Sequence, residues 1–208
     1  MGNGVPSVQT GAASGYKGIQ LVDITKAYGS NVVLDGFSCQ IEDQAVTCIM
    51  GASGQGKTTL LRIMLGLETC DSGSILGMPN QRRSVVFQDD RLCENLSAAS
   101  NIRLVCQNPI VMSDITDAMN AVGLAPALAN QIVRDMSGGE RRRVVVLRAL
   151  MAEYDILLMD EPFKGLDSDT KDMLMLYSKE QSKGKTVIFV THDESECEIM
   201  GGTLIRLG

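Results

Sequence analysis

The hydrophobic and polar positions change period along this chain, and each period predicts a different element. Gly18-Ile-Gln-Leu-Val-Asp-Ile24 alternates like a half-buried strand. Asn31-Val-Val-Leu34 follows a Tyr28-Gly-Ser turn as a second strand, and Phe37 to Ile41 reads as a third. Together they predict a small antiparallel layer. Ala45-Val-Thr-Cys-Ile-Met50, Asp155-Ile-Leu-Leu-Met159 and Thr186-Val-Ile-Phe-Val190 are continuous apolar runs, as expected of strands buried on both faces of a parallel sheet. Ser84-Val-Val-Phe87 is a shorter run of this kind, ending at Gln88, and Asp71-Ser-Gly73 reads as a turn.

Between Asp89 and Met136 the period becomes helical. Leu92, Leu96, Ile102 and Val105, then Ile115, Met119 and Val122, recur at that spacing, with Pro109, Gly123 and Pro126 as breaks. This predicts a helical lobe between strands. A helix then starts near Ser137 and carries Arg141 to Leu150, another spans about Ser168 to Lys183, and Gly201 to Leu207 reads as a closing edge strand. Strands alternating with helices argue an α/β sandwich.

Composition narrows the function classes. The 208 residues suit one globular domain, and a hydrophobic content of 44% is enough for a packed core. Residues 1–17 are rich in Gly, Ser and Ala and read as a mobile tail without the basic-then-apolar pattern of a secretory signal. The net charge of -6 disfavours nucleic acid and anionic membrane as direct partners, both of which select basic surfaces. The six cysteines are scattered and a single histidine accompanies them, so reduced cytosolic thiols are expected instead of a zinc site or disulfide framework. No apolar run is long enough to span a membrane.

The chemistry gathers at Gly51-Ala-Ser-Gly-Gln-Gly-Lys-Thr-Thr59, which sits between a predicted strand and the helix through Leu60, Leu61, Met64 and Leu65. Gly51, Gly54 and Gly56 let the backbone curl so that successive N–H groups point at an anion. The following helix directs its positive end to the same place. Lys57 can reach β- and γ-phosphates, and the Thr58 hydroxyl can join the shell of a magnesium ion. Asp160 closes the apolar strand beside this loop, where a carboxylate can hold magnesium; Glu161, one residue on, can polarise a water aimed at a γ-phosphate. Taken alone, Asp-Glu-Pro would be only a strand-ending turn, and His192 only a structural histidine. Ser137-Gly-Gly-Glu140 combines a cap residue, two glycines and an acidic first turn, which makes a second anion site at a helix start. One phosphate does not need two such sites in one chain, so the second is expected to serve the nucleotide of a partner chain. Arg141-Arg-Arg143 reads as a solvated helix face.

In this order the phosphate loop, Gln88, Ser137-Gly138-Gly139, the strand Ile156 to Glu161, Gly165-Leu-Asp167 and His192 resemble the ATP-binding cassette (ABC) ATPases, from about Gly18 onward. The resemblance implies a RecA-like P-loop NTPase core over residues 18–208, with an antiparallel β layer and an inserted helical subdomain at about 89–145. It implies that Tyr28 stacks on adenine and that Gly51, Ser53, Gly54, Gln55, Gly56, Lys57, Thr58 and Thr59 bind the nucleotide. Thr58, Gln88 and Asp160 would hold magnesium, Glu161 would be the general base, and His192 would contact the γ-phosphate. Gln88 would also couple the site to a membrane partner. Ser137, Gly138 and Gly139 would reach ATP on the opposite subunit, with Asp167 at the dimer seam.

The expected cofactors are ATP and Mg2+. The expected partners are a second ATPase subunit, an integral-membrane permease at the inner face of the cell membrane, and an extracytoplasmic solute-binding protein. The finer resemblance, through Val86 to Leu92, Glu161 to Asp167 and Val190 to Asp193, is to importers of the nitrate, sulfonate and taurine class. Met136 and Glu140 replace the usual Leu and Gln of the signature, and Cys93-Glu-Asn95 stands where that class usually has tryptophan. The competing readings are a soluble ABC protein of DNA repair or translation, which usually has two cassettes or a coiled-coil insertion, and an ordinary P-loop kinase.

Overall fold

The computed structural model describes residues 17–78 and 81–207; apart from Lys17, the predicted tail lies outside them. Strand β1 (Gly18–Tyr28) folds back on β2 (Asn31–Glu42), with Gly18 opposite Glu42 and Tyr28 opposite Asn31. The sequence reading split β2 in two at Asp35-Gly36. The structure corrects this: Gly36, at φ 62°, is absorbed as a bulge between the Ile24–Phe37 and Lys26–Leu34 pairs, and the strand continues.

After β3 (Val46–Met50) and α1 (Lys57–Met64), the segment read as a turn at Asp71-Ser-Gly73 instead opens β4 (Ser72–Leu76), antiparallel to the other edge of β1. Gly73 is what lets the two backbones meet, since a Cβ there would lie 2.4 Å from the Asp23 carbonyl. The remaining elements are β5 (Arg83–Val86), α2 (Ala98–Arg103), α3 (Met112–Ala121), two 3-10 turns (Pro126–Asn130 and Val133–Asp135), α4 (Gly138–Leu150), β6 (Ile156–Asp160), α5 (Ser168–Gln181), β7 (Thr186–Thr191), α6 (Glu194–Met200) and β8 (Thr203–Arg206).

Strands β5-β6-β7-β3-β8 lie in that order in a parallel sheet, and β2-β1-β4 form the antiparallel layer. The apolar runs are continuous because both sheet faces are covered. Ile49, Ile156, Leu158, Ile188 and Val190 pack with α1 and the antiparallel layer, while Cys48, Leu157, Met159, Val187 and Phe189 pack with residues of α2 to α6. The α/β sandwich with its antiparallel layer is therefore as expected. Helix α6 was not anticipated, although Asp193 caps its start by accepting from Ser195 N–H, and Gly201 ends it at φ 70°.

What matters for function is the carboxyl edge of the parallel sheet, where open α/β sheets bind their ligands. Met50 pairs with Thr191, Asp160 with Val190, and Val86 with Met159. The segments that leave these strands, beginning at Gly51, Phe87, Glu161 and His192, consequently emerge along one edge.

Candidate functional site

The phosphate loop is built on close approaches that only glycine allows. A Cβ on Gly51 would lie 2.7 Å from Gln55 Oε1 and 2.8 Å from the Leu207 carbonyl. On Gly56, at φ 85°, it would lie 2.5 Å from the Val33 carbonyl. Gly54, at φ 84°, faces open space. The loop closes on itself through the Gln55 side-chain oxygen, which accepts from Ala52 N–H, and through Lys57, whose Nζ donates to the carbonyls of Gly51 (2.7 Å) and Ala52 (2.8 Å). Lys57 is thus folded back into the loop at its start, with its ammonium where an anion can replace the carbonyls.

In the first turn of α1, Thr58 Oγ1 donates to Asp160 Oδ2 at 2.7 Å, joining the loop helix to the end of β6. Burial pushes the Asp160 carboxyl upward and Glu161 next to it does the same, while the Thr58 hydrogen bond and the Lys57 charge oppose them. A hydroxyl and a carboxylate side by side are hard oxygen donors of the kind magnesium takes, one or two from protein and the rest from phosphate and water. The donor set therefore fits the expected ion.

Glu161 has a left-handed backbone, φ 46°, held at both ends: its N–H donates to the Val190 carbonyl at 3.0 Å, and its own carbonyl accepts from Arg142 at 2.6 Å. Phe163, packed edge-on against Phe189 at 6.3 Å, anchors the same segment in the core. The carboxylate lies between His192, Nδ1 3.6 Å from Oε1, and Lys164, Nζ 2.7 Å from Oε2. Burial alone would raise the Glu161 carboxyl, but the Lys164 ammonium, with His192 and Lys57, holds it below the usual carboxylate range. His192 is held by its neighbours: Thr191 Oγ1 donates to the buried Glu196 at 2.6 Å, and Lys171 of α5 bridges Asp193 (2.7 Å) and Glu196 (2.6 Å).

The structure thus brings Lys57, Thr58, Asp160, Glu161 and His192 to one edge. Tyr28 stands at the tip of the β1–β2 hairpin, 45% exposed, and that hairpin leans on the loop where Val33 meets Gly56. The Gln88 side chain is exposed just beyond β5. Ser137 caps α4 by accepting from Glu140 N–H, and the Glu140 carboxylate accepts in return from Ser137 N–H at 2.8 Å. A Cβ on Gly138 would meet nothing within 4 Å, so the chain leaves this helix start uncovered there. Asp167 caps α5 by accepting from Thr170 N–H.

The solvated-face reading of Arg141 to Arg143 does not hold. Arg142 is only 5% exposed, and Arg143 donates to the carbonyls of Gly139, Val122 and Gly123. The available signal was helical spacing, because position 142 shares its face with Val145, Val146 and Ala149, all buried. Lys171 was also missed, since its partners Asp193 and Glu196 are distant in sequence, and so was Lys164, although its partner Glu161 stands only three residues before it.

A glycine-rich loop, a Thr–Asp contact and a carboxylate–histidine pair at the carboxyl edge of a parallel sheet define a P-loop nucleoside-triphosphate-binding domain. The profile of the family described as ABC transporter matches residues 34–164. The aliphatic sulfonates import ATP-binding protein SsuB 2 of Burkholderia lata is 33% identical, the match covering 97% of this chain and 77% of the relative. Its counterpart in Pseudomonas syringae pv. syringae is 36% identical, covering 97% and 73%. The dimeric structure of MJ0796, a bacterial ABC transporter cassette, superposes with a TM-score of 0.79 at 27% identity, covering 91% of this chain and 94% of that one. The chain belongs to the ABC transporter family as an ATP-binding, ATP-hydrolysing subunit.

Proposed function

We propose that this chain energises solute import. Two copies would join head to tail over two ATP molecules and drive a separate permease at the inner face of the membrane, fed by an extracytoplasmic solute-binding protein. The solute class would be a small oxyanion of the nitrate, sulfonate or taurine kind, by likeness to the sulfonate-import relatives. The observation that carries the dimeric reading is the division of labour in the chain. One edge holds the loop, the Thr58–Asp160 pair and Glu161 with His192, while the second anion site, at Ser137 to Gly139, begins a different element and opens outward. Residues of about 89–145 would be the helical subdomain that presents this second site to the partner.

In this reading the N–H groups of Gly51 to Gly56, with Ser53 and Gln55 in the loop wall, cradle the β- and γ-phosphates. Lys57 leaves the Gly51 and Ala52 carbonyls to neutralise them. Tyr28 lies under the adenine, and Thr59 contacts the nucleotide beside Thr58. Magnesium, held by Thr58, Asp160 and Gln88, would supply charge neutralisation on the phosphate oxygens. Glu161 accepts a proton as a water oxygen attacks the γ-phosphorus and ADP departs. A positioned base of this kind contributes about 10²–10⁴-fold to the rate. His192, beside Glu161, donates to the γ-phosphate and loses that contact when phosphate leaves. Ser137, Gly138 and Gly139 of the other copy close the site, with Asp167 along the seam. Nothing in the site favours the soluble DNA-repair or kinase readings.

Glu161→Gln tests the scheme. With magnesium and ATP it is expected to accumulate an ATP-bound dimer, read by light scattering after size exclusion, and to hydrolyse ATP at a small fraction of the wild-type rate. A monomer that turns over normally would refute both the base and the sandwich.

A further inference from the structure

Arg142 carries a charge into the core, where its one carboxylate ion pair among the described residues is to Asp90, at 3.6 Å. Its five N–H groups also meet five main-chain carbonyls. Nε donates to Pro162 at 2.8 Å, Nη1 to Phe87 at 2.8 Å and Gln88 at 3.3 Å, and Nη2 to Asp160 at 3.0 Å and Glu161 at 2.6 Å. The acceptors belong to two segments, Phe87-Gln88 after β5 and Asp160 to Pro162 at and just beyond the end of β6. The donor belongs to a third element, α4, whose first turn is Gly138 to Glu140.

We propose that Arg142 is a positioning residue for ATP hydrolysis, its guanidinium tying the backbone of the Gln88 segment to that of Glu161 so that the placement of the base depends on where that segment and α4 lie. The proposal rests on the reading of Glu161 as the base. Glu161 has a backbone conformation that a non-glycine residue adopts only when its surroundings impose it; its N–H donates to Val190, its carbonyl accepts from Lys164 N–H at 3.3 Å, and the Arg142 contact to that carbonyl, at 2.6 Å, is the shortest of these three bonds. The carboxylate follows the backbone: if the 161 carbonyl rotates, the side chain leaves its place between Lys164 and His192.

The other half of the tie is equally specific. Arg148 also grips the Gln88 segment, through the carbonyls of Arg91 and Asp90, and Arg141 approaches Asp90, but only Arg142 continues across to Glu161. A partner that displaces residues 87–91 therefore moves the acceptors of the same guanidinium that holds the base. The planar fork is essential to this role. Lysine has three donors on one atom and glutamine two, so neither can serve both segments with a full set of bonds.

The test compares Arg142→Lys and Arg142→Gln in the full chain, alone and with Glu161→Gln, reading kcat, KM for ATP and the thermal midpoint. The phosphate loop does not touch Arg142, so KM is expected to stay within about two-fold while kcat falls. A base displaced by about an ångström costs on the order of 10²-fold, so Arg142→Gln is expected to lose about ten- to hundred-fold and Arg142→Lys less. With Glu161→Gln already present, Arg142→Gln is expected to cause little further loss in residual turnover, and the double variant should still dimerise on ATP. Folded single variants with wild-type kcat would overturn the proposal. So would a rise in KM alone, or a further multiplicative loss in the Glu161→Gln background. Loss of a cooperative thermal transition in both single variants would assign Arg142 to the fold alone and overturn it too. A Glu161→Gln chain that turned over normally would instead remove the base reading itself, and the proposal with it.

Discussion

Gly54 and Gly56 provide a matched pair for separating backbone strain from steric contact in the phosphate loop. Their φ angles are 84° and 85°, so alanine at either position meets the same left-handed penalty, about 1–2 kcal/mol. Their surroundings differ. At Gly54 the new methyl meets nothing within 4 Å. At Gly56 it lands 2.5 Å from the Val33 carbonyl oxygen and 3.0 Å from a Leu34 methyl, against the backbone of a strand that is paired to β1 and cannot simply yield. Overpacking of this kind adds about 1–3 kcal/mol. Gly54→Ala is thus expected to lose about 1–2 kcal/mol, and Gly56→Ala roughly 2–5 kcal/mol, a large share of a stability on the order of 5–15 kcal/mol. Urea unfolding without nucleotide, followed by far-UV circular dichroism because the chain has no Trp, reads both. With a slope of roughly 2 kcal/mol/M, the Gly56→Ala midpoint should fall by about 1 M or more, and the Gly54→Ala midpoint by less. Equal shifts, or a larger one at Gly54, would show that the hairpin does not press on the loop and would refute the packing described here.

Lys57→Ala is expected to abolish measurable ATP binding by titration calorimetry, and also to destabilise the nucleotide-free chain by about 1–3 kcal/mol, because two loop carbonyls lose a charged donor. Ser137→Ala should cost about 1 kcal/mol in urea through the lost helix cap, whereas Glu140→Gln keeps the reciprocal acceptor and should leave the unfolding midpoint nearly unchanged. Asp193 predicts a pH dependence. Its carboxyl is lowered to about 2, chiefly by the Lys171 hydrogen bond and then by Ser195. A carboxyl depressed in the folded state stabilises above its unfolded value, and that contribution is lost as the pH falls from about 4 towards about 2. Over that window wild type should lose more stability than Asp193→Asn, by less than about 1 kcal/mol because the side chain is 37% exposed. Equal acid sensitivity of the two chains would remove the Lys171–Asp193 pair from the account.

The features legible in the sequence were those whose cause is local. The glycine-rich loop announces itself because each glycine does its work within a few residues, and the runs of β6 and β7 because burial on two faces removes polar positions altogether. Ser137 could be read as a cap since its partner is three residues away. What stayed hidden depended on partners distant in sequence. Ser72-Gly-Ser-Ile-Leu76 has little strand propensity of its own and becomes β4 because β1 offers it an edge. Asp35-Gly36 looks like a chain reversal, and only the register of β1 shows it to be a bulge. The arginines of α4 are the clearest case, because apart from Gly139 their carbonyl acceptors lie at residues 87–91, 122–123 and 160–162.

Those arginines also explain how an acidic chain can hold so much irregular backbone at one edge of its sheet. Each segment that leaves a parallel strand to form the site gives up its ladder, and its carbonyls need other donors if they are to be buried. Here cationic side chains supply them. Lys57 serves Gly51 and Ala52; Arg142 serves Phe87, Gln88, Asp160, Glu161 and Pro162; and Arg148 serves Asp90 and Arg91. A regular ladder would have fixed these segments to the sheet. Side chains tie them to one another as well, while Glu161 N–H keeps its bond to the Val190 carbonyl of β7. The two cations differ in what they are free to do. Lys57 holds its carbonyls from an unbranched stem and can exchange them for phosphate, whereas Arg142, with all five of its donors engaged, can move only if both of its segments move with it.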